Sequence, residues 1–264
     1  MKVLAINCGP TNMEDNTVFI LKPFLDGMED AGAQVDLIDG QRLKVRPCRG
    51  DYACIFETPG ICSQKDDMQS LYSKIKEADI TVWSSSVNGY GATGVMNNML
   101  NRAFAISAGA AEKDHQGKQG ASKPSTAVLI SSCGQYELNA FDPILAQMAA
   151  IYRHSSNSAF TGALLRPHAQ VLESFIGTRA LEDISMAARE AGKYLIVEGE
   201  IPSQLLEKIS EELLPVETYI EIVSEGRKPK KDDTQINENP LQNLTLMSYE
   251  ALTAESRRFA NGAF

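Results

Sequence analysis

The sequence predicts an α/β protein: a five-stranded parallel sheet with helices on both faces. Three observations predict it. Short apolar runs alternate with helix-period segments five times between Met1 and about residue 200. The first run, Val3-Leu4-Ala5-Ile6, is continuously apolar, as in a strand covered on both faces. Polar turns follow the first, third and fourth runs, and in such sheets ligands sit at the carboxyl ends of strands, near the switch point of strand order. Right-handed crossovers are expected.

Each element has a local reason. After the first strand, a polar loop runs from Asn7 to Thr17, and a helix starts near Asn16 with Val18, Leu21, Leu25 and Met28 on one face. Pro23 is expected to kink that helix or delay its start, and Gly32 to stop it. Gln34 to Ile38 is the second strand. Asp66-Asp67 favours a helix start through the helix dipole, with Met68, Leu71, Ile75 and Ala78 facing inward. Asp79 to Trp83 is the third strand. Gly94 to Ala108 is a helix that packs through Val95, Met99, Leu100 and Ala103. A polar excursion, 110–124, leads to the fourth strand, Thr126 to Ile130. Phe141 to Tyr152 is helical, Ala159 to Leu165 is the fifth strand, and Thr178 to Val197 is the fifth helix.

Beyond about Gly199 the alternation stops. Leu205 to Leu214 and Thr218 to Val223 are readable as helix or as extended chain; 226–243 is a polar loop, and 246–259 a last helix. Residues 1–200 are therefore expected to form the ligand-binding domain, and residues 201–264 a C-terminal extension acting as a cover or a subunit-contact arm.

The chain has 264 residues, with 43% hydrophobic and 22% charged residues, enough for a packed core. Its net charge of −9 argues against nucleic-acid binding, which needs a basic face. No apolar run is long enough to cross a bilayer, and the chain enters a strand at Lys2 without a secretory signal. A cytoplasmic location is expected, where the five cysteines stay reduced and serve as ligands or buried thiols.

Three loops carry candidate chemistry. The first lacks the G-x-G-x-x-G and P-loop patterns but offers Gly9, Thr11, Asn12, Asn16 and Thr17 just before a helix, where N–H groups and the dipole favour phosphate. The competing reading is an ordinary helix start capped by Asp15 or Asn16. The second, Ser84 to Gly94, is rich in small residues that let backbone approach a flat ligand, with Ser86, Val87, Asn88 and Gly89 along it and Tyr90 able to stack; a plain βα turn reads the same way. The third is Ser132, Cys133 and Gly134. His115, His154 and His168 show no metal spacing and read as structural or surface residues, and Lys228, Lys230 and Lys231 as a solvated loop.

Cys48, Asp51, Cys54 and Cys62 form a separate cluster in sequence. Thiolates are the usual ligands of iron–sulfur clusters, and an aspartate oxygen can take one ligand position. A cubane missing one iron on the three cysteines, zinc on three cysteines and an aspartate, or free and buried thiols, are the other readings.

Pro47-Cys48, Cys54, Cys62, Lys65-Asp66-Asp67-Met68, Ala78-Asp79 and Ser85 to Arg102, taken together, resemble the flavodoxin-like NADPH-dependent FMN reductases, and among them the iron–sulfur flavoproteins. Phe141-Asp142-Pro143 to Gly162 and Leu164-Leu165-Arg166-Pro167 extend the resemblance, which runs from Met1 to about Glu198. It implies a flavodoxin-like fold and FMN, with its phosphate in the Gly9–Thr17 loop, Ser86 to Gly89 along the ring and Ser132 to Gly134 opposite. It also implies a nicotinamide donor, NADH or NADPH, and a homo-oligomer, dimer or tetramer.

The chain departs from the family pattern at Gly9 (usually serine), Thr11 (arginine), Ser86 (proline) and Asn88 (tyrosine), and Asp51 stands at the second position of the four-cysteine spacing. The resemblance implies an oxidoreductase passing electrons from a nicotinamide through flavin to a quinone, a second flavin or an iron–sulfur acceptor. Because the flavin carries the chemistry, no catalytic acid or base is nominated. The alternatives are an electron carrier between protein partners and a scaffold that has lost its flavin and acts by binding.

Overall fold

The computed structural model describes residues 1–10, 16–111, 124–153, 158–175 and 177–226. Thr11, Asn12, Asp15, His115, His154, the three lysines at 228–231 and the helix expected at 246–259 lie outside them. Met1–Ser224 is one compact unit.

Five parallel strands make the sheet: β1 (Lys2–Asn7), β2 (Gln34–Asp39), β3 (Ile80–Ser86), β4 (Ser125–Ser132) and β5 (Ser158–Arg166), in the order β2-β1-β3-β4-β5. The chain leaves β1 for β2 on one side, then crosses to β3 on the other. That reversal opens a crevice between the carboxyl ends of β1 and β3. The fold is flavodoxin-like, as the resemblance implied.

The apolar runs work as expected, because alternate side chains serve opposite faces. Val3 and Ala5 of β1, Val82 of β3 and Val128 of β4 pack under α1 (Val18–Asp30) and α6 (Arg179–Val197). Leu4, Ile6, Trp83 and Leu129 pack on the other face under α3 (Met68–Glu77), α4 (Gly94–Ala111) and α5 (Asp142–Arg153).

Several local expectations are corrected. Pro23 does not delay α1, which starts at Val18 and continues through it to Asp30, although a proline leaves the Phe19 carbonyl without its intrahelical partner. Val18 is exposed, and the buried face of α1 is Ile20, Leu21, Phe24, Leu25 and Met28. Gly32 does end the helix, with φ of +87° and Ala33 N–H closing onto the Met28 carbonyl at 3.0 Å. The expected start of helix α3 holds: it begins at Met68 directly after Asp66-Asp67, with Asp66 Oδ1 accepting from Met68 N–H at 3.2 Å, while Asp67 makes no side-chain capping bond.

Helices α1 and α6 cross unusually closely. A Cβ on Gly27 would run into the Arg189 carbonyl, and one on Gly192 into the Phe24 carbonyl. Of the two stretches open after Gly199, the first is helical as far as Ser210, in α7 (Ser203–Ser210), and non-helical over 211–214, and the second lies in α8 (Val216–Gly226). Ile209 is fully buried among the α1/α6 core residues and Tyr219 is buried as well, so α7 and α8 up to Ser224 fold with the sheet.

Candidate functional site

Loops after β1, β3 and β4 are tied into one surface. Cys8 N–H donates to the Ser84 carbonyl at 2.7 Å, and Val87 N–H to the Ser132 carbonyl at 2.8 Å. Thr17 Oγ1 and Ser132 Oγ share a buried 2.6 Å bond that joins the first loop to the third. Ser131 Oγ donates to the Ser85 carbonyl at 2.7 Å. Thr93, at the mouth of α4, donates through Oγ1 to the Cys8 carbonyl at 2.9 Å, while its N–H donates to Ser85 Oγ at 3.1 Å. Each buried bond contributes about 1 kcal/mol net, and more is lost when one partner is removed. Thr93 and Ser131 were not singled out from sequence, because their partners lie far along the chain.

The first loop is shaped for an anion. Thr17 occupies the cap position of α1 but makes no capping bond, since its hydroxyl is turned to Ser132. The leading N–H groups and the positive end of the helix dipole are thus left for a ligand. Asn16 Oδ1 is buried with no partner among the described residues, an orphan that a bound donor would satisfy. Gly9 is buried and its N–H donates to Asn7 Oδ1 at 3.1 Å.

In the second loop, Val87 packs against the core. Asn88 and Gly91 exchange hydrogen bonds of 2.9 and 3.1 Å around Gly89 and Tyr90, whose φ angles are +57° and +61°. A tyrosine in the left-handed region is uncommon and strained, and here it sets the ring 60% exposed at the rim of the crevice loops. Ser86 precedes the turn, partly buried.

The third loop presents main chain. The Cys133 thiol is buried and turned to the Gln135 carbonyl, so Cys133 offers a ligand its backbone alone. A Cβ on Gly134 would stand 2.8 Å from the Gln170 amide nitrogen, so a side chain there would require the exposed Gln170 side chain to move aside. Burial pushes the Cys133 thiol up to about 11. Burial, with Asp39 nearby, pushes the Cys8 thiol up to about 12. Neither thiol is a base or nucleophile at neutral pH.

The cysteine loop, residues 44–67, is clamped from beneath by Arg102 of α4. Its guanidinium is fully buried and grips Asp66 in bidentate fashion, at 2.7 and 3.0 Å, while also donating to the Arg46 carbonyl at 2.9 Å. Asp66 further accepts from the N–H groups of Arg46 at 3.0 Å and Met68 at 3.2 Å; Asp67 accepts from Lys44 N–H at 2.7 Å. Burial pushes the Asp66 carboxyl up, but the bonds from Arg102 and Arg46 outweigh it and hold the group below the usual carboxylate range. The Lys65-Asp66-Asp67-Met68 motif is therefore a clasp for this loop.

Within the loop, Cys48 is exposed and Cys54 and Cys62 are half-buried. Burial pushes the Cys54 thiol up, and Cys62, Cys48 and Asp51 nearby add to it, so the four sequence candidates share one neighbourhood. Their side chains do not converge: among the described residues no three His, Cys, Asp or Glu groups are placed to hold a metal ion. Asp51 is engaged otherwise, paired with Arg49 at 3.4 Å, accepting from Ser63 Oγ at 3.3 Å and from Ala53 N–H at 3.3 Å at the start of the short helix α2 (Ala53–Phe56). As folded, the loop does not fit a cluster with four protein ligands, and no electron step is assigned to one here.

A second buried arginine, Arg166 at the end of β5, holds the C-terminal helices. It donates to the carbonyls of Ile209 at 2.6 Å and Glu211 at 2.7 Å, just past α7, and to His168 Nδ1 at 3.0 Å. Burial pushes its guanidinium down to about 10. His168 Nε2 donates to the Tyr136 carbonyl at 3.0 Å, so His168 is a neutral structural residue, as expected. Burial, with Arg166 beside it, lowers its pKa.

A parallel α/β sheet with three cross-linked loops at its β1/β3 reversal defines a flavodoxin-like fold. The sequence pattern of the NADPH-dependent FMN reductases matches residues 1–157, and the chain belongs to that family. An iron–sulfur flavoprotein of Archaeoglobus fulgidus is 32% identical over 103 residues, which is 39% of this chain and 49% of the relative. The chain thus spans about half the length of the curated relatives it matches. Two solved structures share the fold: a putative quinone reductase from Klebsiella pneumoniae (TM-score 0.56, 17% identity, 74% of this chain and 85% of that one) and an NAD(P)H:quinone oxidoreductase from Methanothermobacter marburgensis (TM-score 0.54, 15% identity, 74% and 96%). No described helix is long and apolar enough to cross a membrane.

Proposed function

We propose that this chain binds FMN in the β1/β3 crevice and acts as an NAD(P)H-dependent oxidoreductase, delivering electrons to a quinone, flavin or iron–sulfur acceptor. The carrying observation is the buried Thr17–Ser132 bond, which frees the start of α1 for a phosphate. In this reading Gly9, Asn16, Thr17 and the first N–H groups of α1 hold the phosphate, with Thr11 and Asn12 completing the loop. Ser86 to Gly89 line one side of the ring, Tyr90 is able to stack on it, and Ser132 to Gly134 lie opposite. The bound flavin supplies hydride and electron transfer; the protein supplies orientation and hydrogen bonds.

Among the described residues of the three loops, the side chains nearest the crevice are hydroxyls and amides, with two thiols held protonated by burial. Proton exchange is left to solvent at the open rim. We place the protein in the cytoplasm as a homo-oligomer, dimer or tetramer, and take residues 1–200 as the flavin domain with 201–264 as an added cover or arm.

Anaerobic purification with a visible spectrum and released flavin, followed by NAD(P)H oxidation with added quinone or flavin, tests the proposal. Stoichiometric FMN and steady turnover are expected. Bound FMN without turnover would favour an electron carrier, and failure to bind added FMN would refute the reading.

A further inference from the structure

The third loop turns its carbonyls inward. Ser132 accepts from Val87 N–H at 2.8 Å, Cys133 from Ala169 N–H at 2.8 Å, and Gln135 from His168 N–H at 3.0 Å. The Gly134 carbonyl accepts from the Tyr219 hydroxyl, which α8 brings back from 85 residues further along the chain. The peptides are trans, so each N–H points opposite to the carbonyl of the same peptide unit. Holding the Cys133 carbonyl therefore aims the Gly134 N–H, and holding the Gly134 carbonyl aims the Gln135 N–H. Among the described residues nothing accepts from either N–H.

Tyr219 is itself well fixed. It is 5% exposed, and its ring lies 5.7 Å from Tyr136 and 5.6 Å from His168. Tyr136 donates in turn to the Leu214 carbonyl, between α7 and α8, at 3.1 Å. Gly134 without its tether would be the freest residue of the loop, because glycine alone tolerates so many backbone conformations.

We infer that Tyr219, on the C-terminal extension, is a positioning residue for the flavin loop: its hydroxyl locks the Gly134–Gln135 peptide so that the N–H faces the bound ring. An N–H aimed at the electron-rich edge of the ring favours the reduced, more negative form, since a fixed dipole stabilises charge without reorganising. The extension thereby tunes both flavin affinity and reduction potential. This rests on the proposed function.

Tyr219→Phe removes the hydroxyl and keeps the ring. FMN is expected to bind roughly 2- to 12-fold more weakly, the range one net hydrogen bond commands. The potential of bound FMN is expected to become more negative. Tyr152→Phe is the comparison: it removes a buried hydroxyl that accepts from Trp83 at 2.9 Å in the core, outside the three loops. It is expected to lower stability and leave affinity and potential unchanged. Incorporating meta-fluorotyrosine at 219, a stronger donor of nearly equal size, is expected to raise the potential without loss of fold. Unchanged affinity and potential in Tyr219→Phe and in the fluorinated protein would overturn the inference, as would equal losses in Tyr219→Phe and Tyr152→Phe. If the wild-type chain binds no FMN, the proposed function itself fails, a result distinct from these.

Discussion

Asp66→Asn is the sharpest test of how the cysteine loop is held. The change keeps size and one acceptor but removes the charge facing Arg102. That guanidinium is 0% exposed and the carboxylate 6%, so little water can replace what is lost. Breaking a buried pair from one side costs about 3–5 kcal/mol. Asparagine still accepts one bond, so about 3 kcal/mol is expected, a fall in Tm of about 6–12 °C for a domain of this size. The assay is urea or thermal unfolding of the full chain, with amide exchange across residues 44–67 as the local readout. The pH dependence adds a second check. The folded carboxyl is held below its unfolded value of about 3.9, so its contribution is full above that value and lost as pH falls through the folded one. The gap between wild type and variant should be full at neutral pH and narrow in acid below about pH 4. A gap under about 1 kcal/mol at neutral pH, the range of an exposed pair, would refute the argument, as would one that stays constant into acid.

Three further outcomes are expected. Thr17→Val breaks the bond between the first and third loops and should weaken FMN binding by about tenfold, read by flavin fluorescence; an unchanged Kd would mean that the loop junction does not shape the phosphate site. Gly192→Ala drives a methyl into the Phe24 carbonyl and should destabilise by at least about 1–3 kcal/mol in urea unfolding, since α1 and α6 must separate; a smaller loss would mean the crossing yields easily. With a thiol reagent at mildly alkaline pH, exposed Cys48 should react first, while Cys8 and Cys133, held protonated by burial, should react only on unfolding; early labelling of either would contradict their placement.

The sheet and its ligand edge were legible because they rest on local signals. Continuous apolar runs such as Val3 to Ile6 demand cover on both faces, and small polar residues after a strand mark a turn. Long-range polar closure was not legible. Arg102 meets Asp66 across 36 residues, and Arg166 meets the Glu211 carbonyl across 45, with no periodicity to signal either. Asp66-Asp67 marks a helix start by a local rule, and α3 does start there, but the clasp that the same two carboxylates make with Arg102, Arg46 and Lys44 has no local signal. The cysteine spacing gathered its four residues in sequence, but spacing says nothing of where side chains turn. Arg49 and Ser63 draw Asp51 aside.

Arg166 also constrains the order in which the chain can assemble. It closes β5, yet two of the carbonyls it needs belong to Ile209 and Glu211. On a ribosome, β5 emerges while those residues are still inside the exit tunnel. Until they follow, docking the strand would bury a guanidinium with only its local partners, Pro167 and His168. The nascent sheet is therefore held open at β5, the strand that completes it, and α7 acts as the key that lets it shut. A fragment ending near residue 200 would keep that edge exposed permanently, a state that invites chaperones and aggregation.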